Sequence, residues 1–293
     1  MHNHFKHQIK ELDSLPKRER HQKAILLLKT LSSEEQKLLL GCACHWGDVK
    51  LAETILKKEP TWINEPILVG DLTKDLPYLR LFAQNSPVPP LIHALRNGHL
   101  PLVKKLLSYP DIITDSNRLE FKKFGWTLLG WVINSRDLNQ DNKKFKIVEA
   151  LMNHGVNPLE VLSSDSELSC AMTSAIDELE LDILKLLCKP PFKWNAVSSE
   201  QCQKINNSIA SQLEDIDYQI SFHEDESSIN SQTRYDFLKT LIEIHLPIEQ
   251  FPAFKSVIEK NPELESEYLK NKFNNAISKS TVSKSRKTSK SRI

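Results

Sequence analysis

The chain has 293 residues, a formal net charge of +1 and only 7 glycines, and 40% of its residues are hydrophobic. At roughly 150 residues per domain, this length allows one elongated domain or two compact ones. Because extensive β-structure and glycine-rich phosphate loops need residues that adopt positive φ, the scarcity of glycine disfavours both and favours helices.

Two further features of the composition concern cellular location. No stretch approaches the roughly 20 consecutive apolar residues that a membrane-spanning helix requires, and the polar segment Met1 to Lys10 lacks the apolar core of a secretory signal. The 5 cysteines are an odd number, which favours free thiols in a reducing compartment. We therefore expect a cytoplasmic protein without a membrane span.

The first predicted element is an N-terminal helical cap over residues 1–33. Glu19 to Leu31 contains the apolar run Ala24 to Leu28, with Lys and Arg on the other faces of the helix. Ser32 to Glu35 then has the composition of a helix start, with acids at the positive end of the helix dipole. A flexible chain end is the simplest explanation of His2, His4 and His7.

An apolar pattern at positions i, i+1, i+4 and i+5 then returns five times along the chain. These positions form one stripe on a helix, so each copy predicts a helix with one buried side. In three copies an alanine stands eight residues ahead of the stripe, which indicates another helix packed closely across a short turn. The stripes begin at Leu51, Leu102, Ile147, Ile183 and Phe237, and the alanines are Ala43, Ala94 and Ala175.

Glycine occupies the expected turn in the first two copies, in Trp46-Gly47-Asp48 and in Asn97-Gly98-His99. Glycine ends a helix in the left-handed conformation at little energetic cost. Each copy with its alanine therefore predicts a helix-turn-helix unit.

The stretch from Pro89 to Leu107, P-P-L-I-H-A-L-R-N-G-H-L-P-L-V-K-K-L-L, resembles the ankyrin-repeat consensus T-P-L-H-L-A-A-x-x-G-H-x-x-V-V-x-L-L-L. Gly125 to Leu129 resembles the opening of a further repeat, and Lys146 to Pro158 resembles its close. Weaker copies cover Leu39 to Leu56, Ser169 to Cys188, and Tyr235 to Ile248 with Ile205 to Ile220 as a candidate first helix. The resemblance implies an all-α fold, an ankyrin-like α-solenoid of helix-turn-helix repeats with N- and C-terminal helical caps. Another α-solenoid of helix pairs is the alternative.

The spacing of the stripes departs from that of the ankyrin family. Successive stripes begin 51, 45, 36 and 54 residues apart, against about 33 in an ankyrin array. We expect the excess in exposed loops, since the intervening stretches are polar. These are Trp62–Ser86, Asp115–Lys123, Ser135–Lys144 and His223–Thr233.

This organisation predicts five regions. Residues 34–197 hold four ankyrin-like repeats with long insertions, and residues 198–250 hold a degenerate fifth repeat. Residues 251–278 form C-terminal capping helices, Phe254 to Ile258 and Glu263 to Ile277, each preceded by a proline. Residues 279–293 are a disordered basic tail.

The tail holds six Lys or Arg and no acid, so the rest of the chain carries a net charge of −5. A solvated tail without a specific role, a signal for nuclear import or bacterial secretion, and a contact with nucleic acid or anionic lipid are the three interpretations. The negative body argues against nucleic acid as the main partner.

No pattern in the sequence predicts catalysis, a metal or a cofactor. Cys42 and Cys44 lie about 200° apart on a helix and cannot both face one ion. The motifs of P-loops, nucleotide-binding folds, serine hydrolases and zinc proteases are absent from the sequence. We therefore expect a protein that is not an enzyme. The alternative is a catalytic C-terminal third, Ser198 to Ile277, using Cys202 with His223 or His245 and recruited to its substrate by the repeats.

The resemblance implies that a protein partner lies on the concave ankyrin surface, at the end of each first helix and in the loop before it. Trp46 and Trp126 are expected to be exposed there, where tryptophan is a common binding hot spot; the alternative is that each covers a neighbouring loop. Trp131 and Trp194 are expected in the core. The expected partner-binding residues are Lys37, His45, Trp46, Val88, Arg96, Asn97, Trp126, Asn134, Ser135, Asp177 and Glu178, with Ser169 at the loop position of the fourth repeat.

The leading functional hypothesis is a non-catalytic protein–protein interaction scaffold. Low glycine, many Lys, Asn and Ile, and a basic Ser/Lys tail resemble the ankyrin-repeat effectors that intracellular bacteria deliver into a host cell. That resemblance implies action in the host cytosol or nucleus. A eukaryotic cytoplasmic or nuclear adaptor is the other possible source.

Overall fold

Helices make up most of the part of the chain that the structure describes. The structure is a computed structural model that describes residues 2–69, 87–116, 127–135, 138, 142–160, 170–190, 192–222, 227–272 and 274. These residues are mostly α-helical, and the β-structure among them is an isolated antiparallel bridge between Ile67 and Val88. The all-α class expected from the sequence is therefore confirmed.

The chain divides into two units, Met1–Leu168 and Ser169–Ile293. The boundary lies inside residues 34–197, the region predicted to hold four repeats. Each unit has its own buried apolar residues.

The helices of the first unit pair as hairpins. The cap hairpin is α1 and α2, hairpin 1 is α3 and α4, hairpin 2 is α5 and α6, and hairpin 3 is α7 and α8. Their bounds are α1 His2–Asp13, α2 Lys17–Leu27, α3 Ser33–Trp46, α4 Val49–Lys58, α5 Pro90–Arg96, α6 Leu100–Leu107, α7 Leu128–Asn134 and α8 Lys143–Asn153, with a 3₁₀ helix over Pro60–Asn64. Helices α1, α3 and α5 pack in one layer, and α2, α4, α6 and α8 pack in a second layer.

The apolar stripes lie in the interior, as their periodicity predicts. All four stripe residues of α4 are at most 1% exposed, and the stripes of α6 and α8 are buried apart from the half-buried Met152. Helix α3 begins where the sequence predicts, because Ser32 and Glu35 form a capping box. The Ser32 side chain accepts from the Glu35 backbone N–H, and the Glu35 carboxylate accepts from the Ser32 N–H at 3.0 Å.

The N-terminal cap differs from the single helix that was expected. Helix α1 begins at His2, and its Phe5, Ile9 and Leu12 are buried. These residues follow one another at intervals of four and three, so they share one side of the helix. The N-terminal segment is therefore a packed helix, and the expectation of a flexible end is wrong.

Parts of the inserted segments are buried, where exposed loops were expected. In the first insertion, Trp62, Ile67 and Val69 are at most 8% exposed, and Ile67 and Val69 lie against Gly41 of α3. In the next two, Ser116 is fully buried beside Glu160, and Leu138 is 1% exposed. Their apolar side chains and satisfied hydrogen bonds explain the burial. The remaining residues of these insertions, 70–86, 117–123, 136–137 and 139–141, lie outside the described residues.

The second unit, like the first, is built from helices that pack against one another. Its elements are α9 Ala171–Asp177, α10 Leu181–Leu187, a 3₁₀ helix Trp194–Ala196, α11 Ser199–Phe222, α12 Ser227–Glu243, a 3₁₀ helix Ile248–Gln250, α13 Pro252–Glu259 and α14 over 262–272. Helices α9 and α10 pair as hairpin 4. Helix α11 packs against α9 and α12 against α10, while α13 packs on α11. Residues 227–233, expected in a loop, belong to α12.

The C-terminal helices begin at prolines, as predicted. Pro252 stands in the first turn of α13, and Pro262 opens α14. Phe254 and Ile258 of α13 are buried, and the Phe254 ring lies edge-on to Tyr268 of α14. The predicted tail over residues 279–293 lies outside the described residues.

The two predicted core tryptophans are both packed. Trp131 of α7 is 5% exposed. Trp194 is half-buried, its indole N–H donates to the Ile244 carbonyl at 2.9 Å, and Phe192 and Phe251 lie edge-on to its ring. In the part of the chain that the structure describes, no helix has both the length and the apolarity needed to cross a membrane.

Candidate functional site

The same turn geometry recurs in hairpins 1, 2 and 4. In each, the alanine that the sequence singles out is fully buried, and its carbonyl accepts the backbone N–H of the residue five positions later. The pairs are Ala43 with Asp48 at 2.9 Å, Ala94 with His99 at 3.0 Å, and Ala175 with Glu180 at 2.9 Å. This hydrogen bond closes the end of the first helix in the manner of a Schellman motif.

The residues inside these turns also match. The residue four positions after each alanine has a positive φ: 71° at Gly47, 65° at Gly98 and 51° at Leu179. The next residue has φ and ψ of −83° and 87° at Asp48, −81° and 68° at His99, and −81° and 70° at Glu180. The backbone therefore reverses direction in the same way at all three places.

Neighbouring hairpins of the first unit meet at these turns. The His99 ring lies over Gly47, so a Cβ at Gly47 would come within 2.6 Å of its Cγ. The His99 Nε2–H donates to the His45 carbonyl at 2.8 Å. Leu138 lies over Gly98 in the same way, with a Cδ2 2.9 Å from the position of a Cβ. Each turn glycine thus receives a side chain from the hairpin that follows it.

Burial lowers the pKa of His99, its hydrogen bond to His45 acts in the opposite direction, and the cations Lys17, Lys143 and Arg20 lower it further. Three positive side chains from the cap hairpin and hairpin 3 therefore act on one histidine of hairpin 2. These cations were not predicted from the sequence. His99 follows a turn glycine and could have been found by that position, whereas no local pattern marks Lys17 or Arg20.

Two of the expected partner-binding residues come together in the first unit. The Asn97 Nδ2 lies 3.3 Å from the His45 Nδ1 and also donates to the His93 carbonyl at 2.9 Å. His45, Arg96 and Asn97 are all half-buried. They lie along the ends of α3 and α5, where the resemblance places a partner.

Trp46 is half-buried, where the sequence predicted an exposed side chain. Its indole N–H donates to the Asp13 carboxylate at 2.7 Å, and the Arg20 guanidinium lies 5.2 Å from the ring centroid. Asp13 and Arg20 belong to the cap hairpin, which packs on hairpin 1. The cover over Trp46 is therefore this hairpin, rather than the neighbouring loop that was the alternative.

Lys37 and Val88 both contact residues 65–67, in the segment that follows hairpin 1. Lys37 forms an ion pair with Glu65. Val88 exchanges both backbone hydrogen bonds with Ile67, at 2.9 and 3.1 Å. Both residues are thus engaged in contacts within the first unit.

The remaining expected residues lie farther along the chain. The Asn134 side chain donates to the Gly130 carbonyl at 2.8 Å, and Ser135, like Asn134, is half-buried. In the second unit Asp177 and Glu178 are exposed, and partial desolvation raises the pKa of Asp177 against a hydrogen bond from the Ser208 side chain. Trp126 and Ser169 lie outside the described residues.

Burial suppresses the thiolate form of Cys42, Cys44 and Cys202. Burial raises the pKa of Cys42 and of Cys44 well above the ordinary range. Cys202 donates to the Gln250 side chain at 3.6 Å, and burial raises its pKa as well. His223, its expected partner, lies outside the described residues, and His245 is exposed.

Within the described ranges no three His, Cys, Asp or Glu side chains are grouped so as to hold a metal ion. The turns of the first unit carry hydrogen-bonding side chains at His45, Asn97 and His99 and positive side chains at Arg96 and Lys143. Comparison with protein-family models, with the curated proteins and with the solved structures gives no significant match for this chain.

Proposed function

We propose that this chain is a non-catalytic protein-interaction scaffold built from ankyrin-like helical hairpins. The observation that carries the proposal is the turn that recurs at Ala43, Ala94 and Ala175 with the same hydrogen bond and the same backbone angles. A turn repeated at one register of a repeated sequence pattern is typical of a repeat protein.

The packing of the first unit supports an array. Helices α3 and α5 pack in one layer and α4 and α6 in the other, so hairpins 1 and 2 stack side by side. The His99 ring of hairpin 2 packs against Gly47 of hairpin 1. Repeat arrays stabilise themselves through such contacts between neighbours, and they present a preorganised surface that loses little entropy on binding.

The partner would lie on the turn face, which we define as His45, Arg96, Asn97, Asn134 and Ser135 in the first unit. Asp177 and Glu178 occupy the corresponding positions in the second unit. The contacts of Lys37, Trp46 and Val88 lie within the first unit. These residues would therefore position the turn face rather than contact the partner. A partner of ordinary size would bury on the order of 1,600 Å² in total.

The setting that we propose is the cytosol or nucleus of a host cell. The composition that resembles ankyrin-repeat effectors of intracellular bacteria supports this setting. Host-cell lysate is therefore the source in which to look for the partner.

The proposal is tested by site-specific photo-crosslinking in host-cell lysate. A photoreactive phenylalanine derivative replaces Ser135, whose backbone N–H keeps its bond to the Val132 carbonyl. The matched control carries the same group at Lys58, an exposed residue at the last position of α4, at the end of hairpin 1 away from its turn. We expect a discrete protein adduct from position 135 that position 58 does not give.

Equal adducts from both positions would contradict the proposal. An adduct at position 135 that forms equally without illumination would contradict it as well. A thermal melt of each labelled protein verifies that the fold is retained. A parallel sample of the protein labelled at position 135 is kept in the dark. Any protein recovered from this sample was carried over without a photochemical bond, so the carry-over is measured in the same experiment.

A further inference from the structure

Positive side chains that have no anionic partner in the described part of the chain lie close to the turns of the first unit. The Arg20 guanidinium lies over the Trp46 ring at 5.2 Å, and Trp46 precedes Gly47, over which the His99 ring lies. The Lys143 Cδ is 3.5 Å from the position of a Cβ on Gly98, the residue before His99. The cations therefore lie on the cap hairpin and on hairpin 3, beside the turns of hairpins 1 and 2.

These cations have no anionic partner among the described residues. Lys17 and Lys143 form no ion pair or hydrogen bond with another described residue, and the Nε of Arg20 is buried without a hydrogen-bond partner. Elsewhere in the unit, Lys23 pairs with Glu11 and Lys105 with Glu53.

Two carboxylates beside Trp46 and Gly47 are already engaged. Asp13 accepts the indole N–H of Trp46 at 2.7 Å. Asp48 accepts the Leu51 N–H at the start of α4 at 3.1 Å, and its other oxygen lies 2.8 Å from the His21 Nδ1. The pKa of His99 reports the positive charge of the three cations. Burial lowers this pKa, and Lys17, Arg20 and Lys143 lower it further.

We propose that Lys17, Arg20 and Lys143, which we call the cationic row, bind an acidic, extended segment of the partner protein. This inference rests on the proposed function, because it names the chemistry of the partner at the same face. Carboxylates of the segment would supply the anions that the row lacks, and they would orient the segment along the hairpins.

The geometry favours an extended peptide over a nucleic acid. Neighbouring packed helices lie about 8–10 Å apart, and an extended chain rises about 3.3 Å per residue. Carboxylates spaced along an extended segment could therefore reach both Lys17 and Arg20 on the cap hairpin and Lys143 on hairpin 3. Without its tail the chain is net negative, which opposes the broad phosphate contact that a nucleic acid makes.

The probe is a fluorescein-labelled peptide of four Glu-Gly-Ser triplets, and its binding to the full chain is measured by fluorescence anisotropy at low ionic strength. We expect Lys17→Glu/Lys143→Glu to weaken binding by at least about tenfold. The matched control, Lys58→Glu/Lys104→Glu, makes the same change in net charge at exposed positions of α4 and α6 away from the turns, and we expect a change within about twofold. Thermal melts establish that both variants fold.

Four results would overturn the inference. The first two are absence of peptide binding and equal weakening by the two double variants. The third is tighter binding of a single-stranded oligonucleotide that Lys17→Glu/Lys143→Glu abolishes, and the fourth is a peptide of Gln-Gly-Ser triplets that binds as tightly as the acidic peptide. If protein adducts still form at position 135 in any of these cases, the inference fails and the proposed function stands.

Discussion

Leu179 occupies the turn position that Gly47 and Gly98 occupy in hairpins 1 and 2, and it has a φ of 51°. A side chain with a Cβ in the left-handed region costs roughly 1–2 kcal/mol. The backbone of hairpin 4 therefore adopts the turn of the other hairpins against the preference of its own residue. The repeated backbone, rather than the local residue, determines the conformation there.

Leu179→Gly should stabilise the protein by up to about 1 kcal/mol, because the strain is removed while some apolar contact is lost. Leu181→Gly, at the first residue of α10, is the matched control and should destabilise, since no strain is relieved there. Urea unfolding of both variants and the wild type measures the difference. A loss of stability in Leu179→Gly equal to that in Leu181→Gly would contradict the strained turn.

His93 is a buried histidine that joins α5 to the preceding segment. Its Nε2–H donates to the Ile67 carbonyl at 3.0 Å. Burial lowers its pKa from 6.5 to about 4, although hydrogen bonds to the backbone of Ile67 and Val88 act in the opposite direction. The folded protein therefore keeps His93 neutral where the unfolded chain would protonate it.

This lowered pKa makes stability depend on pH. Above the unfolded pKa of 6.5 both states are neutral and the full stability is present. As the pH falls from 6.5 towards 4 only the unfolded state takes up the proton, so stability falls by up to about 3 kcal/mol. His93→Gln, which keeps a donor for Ile67 and does not titrate, should show a shallower decline in urea unfolding between pH 7 and pH 4.5. Parallel declines in the two proteins would show that His93 does not cause the effect.

At the scale of elements, the sequence predicted the helices that have a regular apolar period. The stripes of α4, α6, α8, α10 and α12 and the capping box of α3 were predicted because regular helices repeat every 3.6 residues. The segment 60–69 has no such period, and its burial depends on a fit against α3 and α5. Helix α1 was overlooked for a different reason, since its histidines and lysines mask a short apolar stripe.

Gly41 tests the packing of that irregular segment. In a helix interior Gly→Ala normally gains about 1 kcal/mol. Here the new Cβ would lie 2.6 Å from a Val69 methyl and 2.7 Å from an Ile67 methyl. Gly41→Ala should therefore lose about 1–3 kcal/mol.

Combining Gly41→Ala with Val69→Ala provides the control by a double-mutant cycle. Removal of the Val69 methyls makes room for the new Cβ, so the double variant should be more stable than the sum of the single effects by about 1 kcal/mol. Thermal or urea unfolding measures all four proteins. Strict additivity would mean that Val69 does not pack against α3.

At the scale of the whole molecule, the candidate site was predicted only in part. The register placed His45, Arg96 and Asn97 at the ends of α3 and α5, and the structure brings His45 and Asn97 together. The engagement of Trp46 and the row of Lys17, Arg20 and Lys143 could not be predicted, because both depend on how the cap hairpin and hairpin 3 pack against hairpins 1 and 2. Contacts between distant segments leave no local pattern in a single sequence.

The division into two units also follows from long-range packing. The boundary lies between hairpins 3 and 4, although the sequence pattern continues across it. A partner that contacts the turn face of the first unit need not involve Asp177 and Glu178. The first unit is therefore where binding should be measured first.

The most direct measurement is the affinity of the partner captured at position 135 for three proteins, by isothermal titration calorimetry. They are the wild type, Ser135→Trp, which adds bulk to the turn face, and Lys58→Trp, which adds the same bulk at the end of α4 away from the turn. We predict that Ser135→Trp weakens the affinity by at least about tenfold while its thermal stability is retained, and that Lys58→Trp leaves the affinity unchanged. An affinity of Ser135→Trp equal to that of the wild type would contradict a partner-binding role for the turn face.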